Sequence, residues 1–596
     1  MLFVFFGLTA NATTYYVSLN GNDANSGTLM TSPWKTIAKI NRSTFLPGDS
    51  ILFRKGDTWR EQLTLPSSGS LGNLITFGAY GSGAKPIINA ADVMTGWTNI
   101  GSNLWYIISP NVVPTRAMVV IGGIIYAEVA SLAACNSGNK YFIDISTNRL
   151  YVFSIVDPGT LTAEVSKREY CIVTASGINS KRFIEIDDIE VRYAGNSGIC
   201  FEGPGTSLGA AFNGSSFVRR CTAYANNLDG IVHRDHYDNF TVEDCDASYN
   251  GNGFYSWIAD GGTFRRCTSS NQIQYNVTFT DGEAFGGYQS DNWLVENCVS
   301  NSDYDAIHID AGGRSLNAII RYNKVYNSSS GLPATPGMGV GSLGVGGSIK
   351  IYYNLIVNCA SNGFECYTDM IGKCEYYNNT IYENTSTGSN SGIYLKNAAN
   401  FIFKNNIIVR DYVQYKTLFL IEVLPNISTN DYNLYYILND PGTHFRAYFG
   451  AYYSTLATWQ AATGQDAHSL SSNPLFKNVL SDWSLQPGSP CINTGVDVGL
   501  TRDILGNPIV GLPDMGAYEY TTANANPIAN AGNDISLTLP VTVATLNGSA
   551  VDPDGTIASY SWSRVSGPGI FSLTNSASAI TTVTGLTTGI YVFRLT

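Results

Sequence analysis

VRRCTAYANNLDGIV (218–232), VEDCDASYNGNGFYS (242–256), FRRCTSSNQIQYNVTF (264–279) and VENCVSNSDYDAIHI (295–309) repeat one pattern four times. Two polar residues lead to a small buried one, then a polar Asn-rich turn, then Gly-apolar-x-apolar. The pattern continues as RYNKVYNSSSG (321–331), YYNLIVNCASNGFEC (352–366), YNNTIYENTSTGSNSGIYL (377–395) and FKNNIIV (403–409). Aligning these stretches gives a column of Cys221, Cys245, Cys267, Cys298, Val325, Ile356, Ile381 and Ile407. Cysteine alternates there with valine and isoleucine, so the position is expected to hold a small apolar core side chain. The spacing is roughly 22–31 residues, a period that marks repeat architectures.

Each repeat reads as short strands joined by Asn/Gly turns, with almost no helical periodicity. One coil cannot bury its own inner face, so coils must stack. Leucine-rich repeats share the period but need L-x-x-L-x-L, and propeller blades need about 40–45 residues. A parallel β-helix fits both period and pattern.

The same alignment sorts the strand after each turn, because alternate residues point to opposite faces. Ile199, Ile231, Phe254, Val277, Ile307, Phe364 and Ile393 are expected inside. Cys200, Val232, Tyr255, Thr278, His308, Glu365 and Tyr394 are expected outside, as are Glu202, Arg234, Trp257, Thr280, Asp310, Tyr367 and Lys396. Asp281 and Glu283 fall at the strand end, and Arg314 follows the Gly312-Gly313 turn. The glycine-rich stretch GMGVGSLGVGG (337–347) leaves room between His308 and Glu365.

This outward strip gathers an acid, a base, cations and aromatic rings, and it is the candidate site. His308, Asp310, Arg234, Asp281 and Glu283 are the candidate catalytic residues. Tyr255, Trp257, Arg314, Glu365, Tyr367 and Lys396 are the candidate substrate contacts. Calcium is a candidate cofactor on Asp281, Glu283 and Asp310, since hard cations take oxygen ligands. In IVHRDHYDN (231–239), His233 is expected to be structural, with Arg234, Asp235 and His236 at the strand end.

Composition narrows the partners. Lys+Arg 34 against Asp+Glu 46 gives a net charge of −12, which excludes nucleic acid as the main partner. Charged residues are 13% of the chain, about half the usual ~25%. With 60 Gly and 37 Tyr, the surface suits hydroxyl-rich ligands such as a polysaccharide. The start, MLFVFFGLTANATTYYV, has an apolar run and an A-x-A site at Ala10-Asn11-Ala12, expected to be a secretory signal over residues 1–12. No later segment approaches the ~20 apolar residues of a spanning helix. Eleven cysteines show no C-x-x-C or zinc spacing, and CYTDMIGKC leaves a Cys366–Cys374 bridge open.

On these motifs the chain resembles right-handed parallel β-helix proteins of the pectate-lyase-like superfamily. YYVSLNGNDANSGTLMTSPWKTIAKIN (15–41) with PGDSILFRKGDTWRE (47–61) resembles the opening of secreted members. NPLFKN…DMGAYEY (473–520) resembles their closing segment. AVDPDGTIASYSWSRVSGPG (550–569) resembles the polycystic-kidney-disease-type (PKD-type) immunoglobulin-like module, with Trp562 in its core and Asp552 and Asp554 shaping a turn. Such a module needs one more strand than the sequence to Thr596 supplies, so a truncated sequence is expected.

The expected fold is thus all-β: a parallel β-helix followed by a small immunoglobulin-like sandwich. Residues 13–170 form the first coils with a β-rich elaboration over 96–159, and 171–423 the central repeats. Residues 424–520 form the last coils and cap, 521–526 a linker, and 527–596 the module. The resemblance implies a secreted or surface-attached carbohydrate-active protein. β-Elimination on an acidic polysaccharide is the first expectation, with His308 as base and Arg234 and Arg314 neutralising the uronate. Hydrolysis by a carboxylate pair and glycan binding without catalysis are the alternatives.

Overall fold

The computed structural model describes every residue except 1–11, 109–116, 176, 206–211, 274–281, 329–335, 367–369, 384–390, 397, 412–416, 422–426, 439–444, 448–451, 522–526, 553–555 and 570. The expected signal sequence falls outside the described residues save for Ala12. Asp281, Tyr367, Val277, Thr278, Thr280 and Asp554 also fall outside them.

Three long sheets of 13, 12 and 13 strands run the length of a parallel β-helix. Each coil passes through them in turn. Tyr237–Glu243 lies in sheet 1, Asp246–Ser248 in sheet 2 and Asn252–Trp257 in sheet 3, after which Thr263–Arg265 returns to sheet 1. Successive coils pair in parallel and in register, so equivalent residues stack along the axis. Phe254, Phe285, Ile307, Met338, Phe364 and Ile393 form one inward row of sheet 3. Phe254 and Phe285 lie 5.1 Å apart and 7° from parallel. Each such buried ring contributes about 1.5–3 kcal/mol over its exposed state. One apolar cluster runs from Val17 to Trp459.

The turn between sheets 1 and 2 revises the expected apolar column. Cys221, Cys245, Cys267 and Cys298 each follow a residue at positive φ, namely Arg220, Asp244, Arg266 and Asn297. The equivalents in later coils are Asn323, Asn354, Asn379, Asn406 and Asn433. Each side chain accepts the backbone N–H of the preceding coil's counterpart: Cys298 to Asn323 at 2.9 Å, Asn323 to Asn354 at 3.0 Å, Asn354 to Asn379 at 3.0 Å. The sulfurs do the same at longer range, with Cys221 N 3.3 Å from Cys245 Sγ. The position therefore selects an acceptor beside a left-handed turn rather than an apolar side chain. Val325, Ile356 and Ile381 sit two residues later and stack with Ala223, Ala247, Ser269 and Ser300. In the next coil Ile408, not Ile407, continues that row.

The eleven cysteines are all buried and none is in a disulfide. The Cys366–Cys374 bridge does not form, because Cys366 stacks between Val340 and Leu395 in sheet 3 while Cys374 stacks between Ile349 and Phe401 in sheet 1.

Between the first coils an eight-stranded, mainly antiparallel sheet spans Ala91–Val93 to Ala163–Ser166. Arg60 ties it to the first coil by pairing with Glu164 at 2.6 Å. At the other end the helix Leu456–Thr463 covers the core with Trp459, whose Nε1 donates to buried Asp466 at 2.9 Å. Residues up to Glu519 form one compact unit, and Tyr520–Thr596 form a second, in which Trp562 is buried and donates to Ala579 O at 3.1 Å. Among the described residues no helix is long and apolar enough to cross a membrane.

Candidate functional site

The site is built on the outer face of sheet 3 by three strands, Asn252–Trp257, Glu283–Tyr288 and Asp305–Asp310, continued by Met338–Gly341 and Phe364–Cys366. The coil after Tyr255 departs from expectation. The strand in register with Asn252–Trp257 is EAFGGY, and the Phe285 stack on Phe254 fixes that register. Gly286 then lies between Tyr255 and His308, and Tyr288 between Trp257 and Asp310. Glu283 opens this strand rather than closing one, in register with Asp305.

Gly286 makes room for the Glu283 carboxyl. A Cβ there would meet Glu283 Oε2 at 1.7 Å and the Tyr255 ring at 2.2 Å. Without it, the carboxyl folds over its own strand toward His308, and Glu283 Oε1 lies 2.7 Å from His308 Nδ1. Asp305 Oδ2 stands 3.5 Å from the same nitrogen. Asn252, one coil earlier, accepts the Glu283 backbone N–H at 3.1 Å and so fixes the start of that strand.

The group is secluded. Side-chain exposure is 3% for Glu283, 8% for Asp305 and 15% for His308. Two coils further along, across Gly339, Glu365 takes the position in register with His308. Burial raises the Glu365 carboxyl above the ordinary glutamate value; a hydrogen bond from Asn362 and the nearby His308 and Lys396 charges oppose this without cancelling it. The Asn362 amide donates to Glu365 Oε2 at 2.8 Å. The arrangement thus sets a carboxyl whose pKa burial raises opposite a histidine–dicarboxylate group, the pattern by which acid and base roles are separated.

Glu283, Asp305 and His308 also bring one ligand atom each within 4.8 Å of one another. An imidazole nitrogen with two carboxylate oxygens is a donor set for zinc or manganese rather than the oxygen shell of calcium. Asp310 is not part of the group; its Oδ1 accepts Gly312 N at 2.8 Å and closes the turn.

Arg234 lies three coils from His308, in register with Glu202 and Trp257. Its guanidinium donates to Glu202 at 2.9 Å and to the Tyr170 hydroxyl at 2.8 Å. Trp257 stacks on Tyr288 at 4.4 Å and 25°, and on Tyr255 at 6.1 Å and 26°. Arg314 is exposed past its turn and donates to Gln289 O at 2.6 Å, while Lys396 is exposed beyond Leu395. His233 points inward as expected. Its Nδ1 donates to Tyr237 O at 2.8 Å, and burial lowers its pKa to about 4.

The structure therefore brings together Glu283, His308 and Glu365, with Tyr255 and Trp257 on the adjoining coils, and leaves Asp310 as a turn cap. Sequence reasoning missed Asp305, Tyr288 and Gly286. Asp305 was readable three residues before His308 in DYDAIHID; Gly286 and Tyr288 were hidden by the slipped register.

The family described as "Right handed beta helix region" matches residues 173–342, and a PKD-domain family matches 531–596. Over 611 aligned residues the chain is 23% identical to lacto-N-biosidase of Bifidobacterium longum subsp. longum, an alignment covering 86% of this chain. It is 48% identical over 144 residues to the human dyslexia-associated protein KIAA0319, covering 20% of this chain. The chain spans 36% of the first relative's length and 13% of the second's. A solved structure of XylC with xylose superposes with a TM-score of 0.61 at 11% identity, over 85% of this chain and 98% of that one. The fold, the turn ladders and the two family matches agree: the chain is a right-handed parallel β-helix protein with a PKD-type module at its C-terminal end.

Proposed function

We propose that the protein is a carbohydrate-active β-helix protein, exported from the cell, that hydrolyses a glycosidic bond over the outer face of sheet 3. The observation that carries this reading is the pairing of Glu365, its carboxyl raised by burial, with the Glu283–His308–Asp305 group across the gap left by Gly339. Glu365 protonates the departing glycosidic oxygen. Glu283, held by His308, is the ionised carboxylate that activates water or meets the sugar's anomeric carbon. The backbones of His308 and Glu365 lie two coils apart, about 10 Å at the parallel-strand spacing. The 23% identity to a lacto-N-biosidase over most of this chain supports a hydrolase and puts glycans bearing lacto-N-biose first on the substrate panel. The apolar N-terminal run with its A-x-A site supports export.

β-Elimination is the second reading, favoured by the outward His308 with exposed Arg314 and Lys396 just past the ends of sheet 3 strands. It is weakened by Arg234, whose charge is already answered by Glu202. The test follows neutral and uronate glycans with two readouts, new reducing ends and absorbance near about 235 nm from an unsaturated uronate, with and without calcium. Reducing ends without absorbance are expected. Absorbance on a uronate polymer would replace hydrolysis by elimination, and neither signal would leave a glycan-binding protein. The acid must hold its proton, so activity should fall as pH rises through the raised Glu365 pKa, a limb that Glu365→Gln removes.

A further inference from the structure

Trp257 is 40% exposed, while the other eight tryptophans are buried or only partly exposed. It stands on the outward row that carries Asp310, beside the row of Tyr255 and His308, so whatever covers it in use is continuous with the candidate site. One face of its ring is taken by Tyr288 at 4.4 Å, which holds the indole in place without covering it. On the other side, one coil away, is Arg234. That guanidinium is not a free positive charge. Burial works against its charge, and neighbouring Cys200, Tyr170 and the hydrogen-bonded Glu202 more than offset it, so it stays protonated and paired. A charge-compensated Arg–Glu pair beside an aromatic face offers both donors and acceptors but no net attraction for an anion. Vicinal hydroxyls need both, and the C–H face of a pyranose packs on an indole.

We propose that the Trp257–Tyr288 stack and the adjoining Arg234–Glu202 pair form a subsite for an uncharged sugar ring of the glycan. The subsite spans one to three coils from His308, with Tyr288 nearest and Arg234 roughly 14 Å away at the parallel-strand spacing, so the ligand is an oligosaccharide rather than a monosaccharide. The location along the groove rests on the hydrolase reading, but occupancy is read by binding alone.

The test uses the whole chain carrying Glu365→Gln, to prevent turnover, on an array of neutral and uronate oligosaccharides. The strongest neutral binder is then titrated while acrylamide quenching of tryptophan fluorescence is followed. Neutral glycans should bind and protect Trp257 from quenching. Trp257→Ala should weaken binding by about tenfold or more, and Trp257→Phe should recover most of it. Glu202→Gln should shift preference toward uronates, because it leaves the Arg234 charge opposed only by the more distant Asp235 carboxylate at 3.7 Å. Equal binding by Trp257→Ala and its parent, or binding of uronates alone, overturns the proposal. Trp257-dependent binding with no hydrolysis of the same glycan by the protein with Glu365 intact keeps the subsite and removes the hydrolase reading. Hydrolysis with Trp257-independent binding does the reverse.

Discussion

At the scale of single residues, two histidines three coils apart in sheet 3 face opposite ways and meet opposite fates. His308 faces outward against Glu283 and Asp305. His233 is fully buried, stacked 5.0 Å from Phe240, with its Nε2 2.5 Å from Ser256 Oγ. Burial lowers the His233 pKa to about 4, below the ~6.5 of an unfolded histidine. Between those values the unfolded chain holds the extra proton, so the folded state loses stability as pH falls from ~6.5 to ~4, by about 3 kcal/mol at most. His233→Phe should lower the melting temperature at pH 7.5 and flatten the decline toward pH 4.5. An equal decline in both proteins would assign the acid sensitivity elsewhere.

At the scale of the element, the turn between sheets 1 and 2 is held by a ladder that begins in thiols and ends in amides. Asn354 takes the N–H of Asn323 at 3.0 Å, and its own amide donates to Ile320 O at 3.0 Å and to Asn379 Oδ1 at 2.9 Å. Asn354→Leu would leave several buried groups unsatisfied, and a local loss of roughly 2–4 kcal/mol is expected, seen as faster amide exchange in the coils on either side. Cys298→Asn should instead be accepted, since it extends the amide ladder by one rung and Asn323 Oδ1 already receives the residue-298 N–H at 2.9 Å. Its melting temperature should lie near that of the parent, with Cys298→Leu well below both.

The same turn explains what could be read in the sequence. The coil period, the inward rows and the outward His308 and Glu365 were legible because alternation and Asn/Gly turns recur in register. The cysteine column was misread because valine and isoleucine two residues later resemble cysteine in polarity, whereas its true counterpart is asparagine, matched by hydrogen-bonding geometry. The Glu283 strand was missed because two glycines, Gly286 and Gly287, erase its alternation, while VTFT just upstream displays it. Only the Phe285 stack on Phe254, a contact between coils, decides between them.

At the scale of the whole molecule, the candidate site draws on residues from Tyr170 to Lys396, brought into adjacent rows by stacking alone. The net charge of −12 is tempered on the outside of sheet 1, where ion pairs run across coils: Arg219 to Glu243 at 2.6 Å, Arg266 to Asp244 at 2.7 Å, and Arg265 and Arg321 both to Glu296. These half-exposed pairs are each worth about 0–1 kcal/mol, and they leave the acidic groups of sheet 3 as the uncommon feature. There carboxyls are buried together beside one histidine, at an energetic disadvantage that chemistry can explain and stability cannot.

The measurement that bears most directly on the catalytic assignment is the initial rate of reducing-end release by the parent, Glu365→Gln and His308→Ala proteins, on whichever glycan the panel identifies. If Glu365 is the acid and His308 holds the ionised carboxylate, both substitutions should lower kcat/KM by about 10²–10⁴-fold while the proteins keep the parent's melting temperature to within a few degrees. Folded variants that retain the parent's rate would contradict it, and would move the chemistry away from the outer face of sheet 3.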